Sequence, residues 1–123
     1  MDITNIKKIA IIGATKNRDK FGNIILRDLL SKGFSLFPVS PSYDEIEGIK
    51  VYKSVEELPK DVELLVFVVP PHIGIEELRK AYKSGFRKFW FQPGAESSEI
   101  IDYSKTLTDA EFSFIKCIMV ETR

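Results

Sequence analysis

The residues with chemistry in them begin at Lys8-Ile9-Ala10-Ile11-Ile12-Gly13-Ala14-Thr15. A short, largely β-branched run stops at a glycine, and a polar, basic loop follows: Lys16-Asn17-Arg18-Asp19-Lys20-Phe21-Gly22. A helical pattern then opens at Asn23-Ile24-Ile25-Leu26. Gly13 can take a positive φ and lets backbone come close to a ligand. The amides that follow, near the N-terminus of the next helix, can bind phosphate. The same residues also suit a tight strand-to-helix turn with no ligand. Two further residues have reactive side chains. His72 is the one histidine, just past Pro70-Pro71 at an expected helix start. Imidazole can act as acid or base near neutral pH, but no carboxylate or serine partner can be assigned to it, and it reads as a capping or surface residue. Cys117 is the one cysteine. A free cysteine is usually a small buried hydrophobe, and disulfide exchange would need an exposed, activated thiol.

The elements that must position these residues follow from the apolar pattern. Residues 8–13 read as a strand, and their continuous apolar character suits a parallel strand buried on both faces. A helix is expected over about 22–32, with Ile24, Ile25, Leu29 and Leu30 as its apolar stripe and Gly33 as its stop. The second strand is 34–39, and Pro38 within it cannot donate to a ladder. Ser40-Pro41-Ser42-Tyr43 ends it. A loop runs through Gly48, with a short extended piece at 50–52. Ser54-Val55-Glu56-Glu57 has capping-box spacing and opens a brief helix before Pro59. Val62 to Val69 is the most apolar stretch and reads as the central, third strand, stopped by Pro70-Pro71. A helix over about 72–84, a fourth strand over 87–92, a helix over about 97–106 and a last strand within 112–120 complete the pattern. Trp90, between Phe89 and Phe91, reads as core.

This alternation predicts an α/β fold: a doubly wound parallel sheet of about five strands, covered on both faces. The expected order is 3-2-1-4-5, with a crevice between strands one and four. Ligands of such sheets bind outside the carboxyl ends of the strands. Those ends are Gly13-Ala14-Thr15, Val39-Ser40-Pro41, Val69-Pro70-Pro71 and Gln92-Pro93-Gly94.

The 123 residues suffice for one domain, taken here as 1–123. Lys and Arg number 18, as do Asp and Glu, so the zero formal net charge argues against general nucleic-acid binding. A single cysteine suits a reducing compartment. No signal-peptide pattern opens the chain, and no apolar run nears the roughly 20 residues of a membrane span. The expectation is a soluble cytoplasmic protein with neither nucleic acid nor membrane as partner.

A dinucleotide fingerprint would read G-x-G-x-x-G, with an acid roughly 20 residues on for the ribose. Neither is present: Gly13 is followed by Ala14-Thr15, and strand two ends in Val39-Ser40-Pro41. A Walker loop is absent too. NAD and nucleoside triphosphates are therefore disfavoured.

The ordered set Gly13-Ala14-Thr15, Lys20-Phe21-Gly22, Val39-Ser40-Pro41-Ser42-Tyr43, Ile46-Glu47-Gly48, Tyr52-Lys53-Ser54, Pro70-Pro71, Trp90-Phe91-Gln92-Pro93-Gly94 and Lys116-Cys117-Ile118 resembles the small stand-alone CoA-binding proteins of bacteria and archaea. These are similar to the amino-terminal CoA-binding domain of the succinyl-CoA synthetase α subunit. The resemblance runs from about Lys8 to Glu121. It implies a Rossmann-like domain that holds coenzyme A, or an acyl-CoA, across the carboxyl edge of the sheet. Gly13, Ala14 and Thr15 would then meet the phosphates, with Lys16, Arg18 and Lys20 as cations beside them. Val39, Ser40 and Pro41 would line the adenosine side, Val69 and Pro70 would pack near the nucleotide, and Gln92 and Gly94 would face the outer crevice.

This chain departs from the family's pattern at three places. Relatives commonly carry Asn at the position of Ser40 and Lys or Arg at that of Ser42. Many small relatives have Arg where Val69 stands. The loss of a basic residue at Ser42 weakens one expected phosphate contact. The synthetase's phospho-accepting histidine lies in a second domain that has no counterpart here, so its catalysis does not carry over. The expectation is a non-catalytic binding module with no catalytic residue and no metal. The rivals are an NAD(P)-type or acyl-CoA enzyme using His72 or Cys117, and a ligand-free interaction module.

Overall fold

In chain order the computed structural model, which describes residues 1–123, holds β1 (Lys8–Ile12), α1 (Phe21–Ser31), β2 (Ser35–Val39), β3 (Glu45–Ile46), β4 (Ile49–Lys50), a 3-10 turn (Val55–Glu57), β5 (Leu64–Phe67), α2 (Pro71–Lys83), β6 (Lys88–Phe91), α3 (Ser98–Thr106), β7 (Glu111–Ser113) and α4 (Ile118–Glu121). Five strands form one parallel sheet in the order β2-β1-β5-β6-β7. The architecture is a Rossmann-like α/β domain.

The aliphatic runs of β1 and β5 decide the layering. Successive side chains alternate between faces, so both faces are apolar and both must be covered. Ile9, Ile11, Leu64 and Val66 turn to one side and meet Ile25, Leu26 and Leu29 of α1 and Ile118 of α4. Ala10, Ile12, Leu65 and Phe67 turn to the other and meet Ile75, Leu78 and Ala81 of α2 and Ile100 of α3. Each fully buried aliphatic or aromatic side chain contributes about 1.5–3 kcal/mol. Phe67 and Phe91 stack across β5 and β6 with centroids 4.3 Å apart, and Phe114 extends the stack.

The strand order corrects the expected 3-2-1-4-5. The third strand, β5, lies on the far side of β1 rather than outside β2. Two features of the chain require this. β5 is buried at all four positions, whereas β2 has an exposed end and a half-buried centre. The Pro38 carbonyl faces away from β1 and accepts from the Tyr52 amide, so the missing Pro38 N–H also faces outward. A full strand there would lose a ladder bond. The outer side of β2 meets only a one-residue bridge, Val39 to Tyr52. The winding reverses between β1 and β5, which moves the crevice there.

Smaller corrections follow the same logic. The capping box at Ser54 does not form: the Ser54 side chain makes no cap bond, and the Glu57 amide goes to the Ser54 carbonyl in a single 3-10 turn. The short extended piece near 50–52 is half of an antiparallel hairpin, β3 with β4, turned by Glu47 and Gly48 at φ 52 and 78. The last strand is only Glu111–Ser113, and Ile118–Glu121 is helical. The reason lies in β6 and the residue that ends it. The Trp90 indole N–H donates to the Lys116 carbonyl (2.8 Å), and the Gln92 carboxamide oxygen accepts from the Ile118 amide (2.7 Å). These bonds draw the chain off the sheet edge and over the end of β6. Cys117 therefore sits at the N-cap of α4, not in a strand.

Candidate functional site

β1 and β5 end side by side, and α1 starts directly above them. Two glycines make that approach possible. Gly13 has φ 101, and a Cβ there would lie 2.7 Å from Val69 Cγ1 and 2.8 Å from the Val68 carbonyl oxygen. A Cβ on Gly22 would lie 2.2 Å from the Gly13 carbonyl oxygen. The Gly13 and Ala14 amides both donate to the Val39 carbonyl, at 3.2 and 3.3 Å. Of the three amides of the glycine turn, only that of Thr15 is left without an acceptor in the protein. Further free donors lie at the start of α1. The Phe21 and Gly22 amides have no acceptor in the protein, α1 has no side-chain cap, and its first turn holds no acid. No residue of the helix itself therefore compensates its positive end.

The loop before α1 is braced from beneath by Asn23, which is wholly buried. Its Nδ2 donates to the Thr15 carbonyl (2.8 Å) and to Glu47 Oε2 (3.3 Å), and its Oδ1 accepts from Arg27 Nε (2.7 Å). Arg27 also holds the Arg18 carbonyl. Within the loop, Thr15 Oγ1 accepts the Asn17 amide and Asn17 Oδ1 accepts the Asp19 amide. Sequence reasoning missed Asn23; the signal was a polar residue in the first turn of an otherwise apolar helix face. Asn23→Ala leaves a part-buried carbonyl and a guanidinium short of partners, and should cost about 1–3 kcal/mol in urea unfolding. A loss under 0.5 kcal/mol would contradict the bracing role.

Two cavities open at the carboxyl edge of the sheet. One, about 400 Å³, is walled by Gly13, Thr15, Asp19, Lys20 and Gly22. The other, about 430 Å³, is walled by Val69, Pro70, Gln92, Pro93, Gly94 and Ala95, with Cys117 at its side. Phe21 and Val68 line both.

Of the residues singled out from sequence, the structure brings Gly13, Thr15, Lys20, Val69, Pro70, Gln92 and Gly94 to this edge. Ala14 is buried in the core, and Val39 contributes its carbonyl and a core side chain. Ser40 is buried, its Oγ accepting the Ser42 amide, while Pro41 is exposed; neither lines either of these two cavities. Arg18 faces Glu47 at 3.8 Å, and Lys16 lies over the Tyr43 ring at 5.8 Å. Gln92 is committed internally, its oxygen to Ile118 and its Nε2 to Cys117 Sγ at 3.4 Å. His72 is exposed at the second position of α2 and makes no hydrogen bond within the protein.

Beside the end of β2, Tyr43 and Lys53 form a group the sequence did not single out for function. Tyr43 Oη lies 3.3 Å from Thr15 Oγ1, and Lys53 Nζ donates to the Tyr43 carbonyl (2.8 Å). Lys53 also pairs with Asp44 at 2.8 Å; that hydrogen bond, then the ammonium charge, holds the Asp44 carboxyl below its usual range. No group of three or more His, Cys, Asp or Glu side chains is arranged to hold a metal ion, and no helix is long and apolar enough to cross a membrane.

The profile of the CoA binding domain matches residues 7–123. An ADP-forming acetate–CoA ligase of Methanocaldococcus jannaschii is 41% identical over 81 residues, covering 66% of this chain and 12% of the ligase. The chain thus spans about an eighth of that enzyme's length. A conserved hypothetical protein of Pyrococcus furiosus is 59% identical, with a TM-score of 0.93 over 95% of this chain and 100% of its own. A dinucleotide-forming acetyl-coenzyme A synthetase of Candidatus Korarchaeum cryptofilum, in complex with phosphate and ADP, aligns at a TM-score of 0.71 and 27% identity, over 86% of this chain and 25% of its own.

Proposed function

This chain belongs to the CoA binding domain family, and we propose that it binds coenzyme A without turning it over. The observation that carries this reading is the uncapped start of α1 beside Lys20, at the point where the sheet reverses its winding. A diphosphate placed there meets the Phe21 and Gly22 amides, the Thr15 hydroxyl and the Lys20 ammonium. Gly13, Ala14 and Val39 act as the scaffold of that turn. The adenosine end lies toward Ser40, Pro41 and Tyr43, where Lys16 and Lys53 stand near the position of the missing basic residue at Ser42. The pantetheine arm crosses Val68 and Phe21 toward Val69, Pro70 and Gly94.

The non-catalytic part of the reading rests on the reactive groups. The His72 ring is exposed and unpartnered, and the Cys117 thiol has a carboxamide beside it, not a base. Neither forms the nucleophile–base pair that acyl transfer needs. The partner is CoA or an acyl-CoA in the cytoplasm, not nucleic acid.

Isothermal titration tests this. CoA should bind at least tenfold more tightly than NAD, because Val39-Ser40-Pro41 offers no acid to the NAD ribose. Equal affinities, or no binding of CoA to nucleotide-free protein, would overturn the reading.

A further inference from the structure

We propose that the cavity beyond the phosphate turn is an acyl pocket, so that the preferred ligand is a short- or medium-chain acyl-CoA rather than free CoA. This rests on the CoA reading above and names which form of the ligand the site takes. The cavity, about 430 Å³, falls within the roughly 300–1,000 Å³ of small-molecule pockets. Its walls are mostly carbon: Val68, Val69, Pro70, Pro93, Ala95 and the Phe21 ring. The one side-chain amide in the wall, Gln92, already accepts from Ile118 and donates toward Cys117 Sγ. A polar ligand group pushed in would find no free side-chain amide, and burying it unpaired is costly. A hydrocarbon chain gains by entering.

Two further observations give the chain its direction. The cavity shares Phe21 and Val68 with the phosphate-turn cavity, so the two adjoin and a ligand anchored by its phosphates can extend from one into the other. Phe21, the first residue of α1, is 62% exposed beside both cavities. A phenyl ring so placed gains cover when an alkyl chain lies against it.

The test is a calorimetric series on the intact chain with CoA, acetyl-, butyryl-, hexanoyl- and octanoyl-CoA. Kd should fall about two- to fourfold per added methylene, in line with the transfer free energy of a buried methylene, and level off once the cavity is full. Ala95→Leu, which fills part of the cavity, should bring the plateau at a shorter chain. If CoA binds and every acyl form binds equally or more weakly, the acyl pocket is refuted and the CoA reading stands. If no CoA species binds, both fall.

Discussion

Gly22→Ala is expected to destabilise the protein by about 3 kcal/mol, against the sign that helix propensity gives. Gly22 is the second residue of an 11-residue helix, where alanine should be favoured by about 1 kcal/mol. The surroundings reverse this. The new Cβ would meet the Gly13 carbonyl oxygen at 2.2 Å. That oxygen is backbone, and its residue is itself wedged against Val68 and Val69. No flexible side chain can yield, so α1 must lift from the ends of β1 and β5. Overpacking of this kind costs about 1–3 kcal/mol and sometimes more, and a backbone–backbone clash belongs at the upper end. A loss of about 3 kcal/mol corresponds to roughly 10 °C in Tm for a domain of this size. Gly33→Ala is the control: its φ is 94 but nothing lies within 4 Å of the added carbon, so only the left-handed strain of about 1–2 kcal/mol applies. Urea titration should show a lower midpoint for Gly22→Ala than for Gly33→Ala, with unchanged m. A Gly22→Ala protein as stable as the wild type would mean that the α1–β1 contact is not tight.

The sequence carried the architecture because the signals were strong and local. The aliphatic runs at β1 and β5, the glycine and proline stops, and the stripe of α1 each name an element without reference to the others. Strand order was the global question, and there the decisive clue was in hand but underused. A proline in β2 marks an edge, and an edge β2 excludes a third strand outside it. The site was legible to the extent that strand ends define it: Gly13, Thr15, Lys20, Val69, Pro70, Gln92 and Gly94 all reach the carboxyl edge. What spacing could not show was which groups are already spent. The Gly13 and Ala14 amides are taken by Val39, and the Gln92 carboxamide by Ile118. Hydrogen bonds between residues 25 or more apart leave no trace in a local pattern. Phe21, Val68 and Cys117 were missed as cavity walls for the same reason, since an apolar residue reads as core until the fold shows what faces it.

Lys20→Ala and Asp19→Asn, one residue apart, should change CoA affinity in opposite directions. Both side chains line the cavity at the start of α1. Lys20 makes no ion pair within the protein, so its ammonium is available to a phosphate. A hydrogen bond to a charged group contributes about 1.5–3 kcal/mol, and at 1.4 kcal/mol per decade its loss weakens CoA roughly ten- to a hundredfold. Asp19 is the one carboxylate in that wall, and only its backbone amide is engaged, to Asn17 Oδ1. Neutralising it removes a like charge from beside the diphosphate. At solvent-exposed range that repulsion is about 1 kcal/mol, so Asp19→Asn should tighten CoA severalfold. Arg18→Ala should do little, because Arg18 faces Glu47 with its side chain 64% exposed and lies outside both cavities. Raising salt from 0.05 to 0.5 M should shrink the Asp19 effect, since exposed charges are screened within about 10 Å at 0.1 M. The paired substitutions separate charge from loop structure. If both weaken CoA alike, the loop's shape and not its charge governs binding; if neither matters, the diphosphate does not sit at the start of α1.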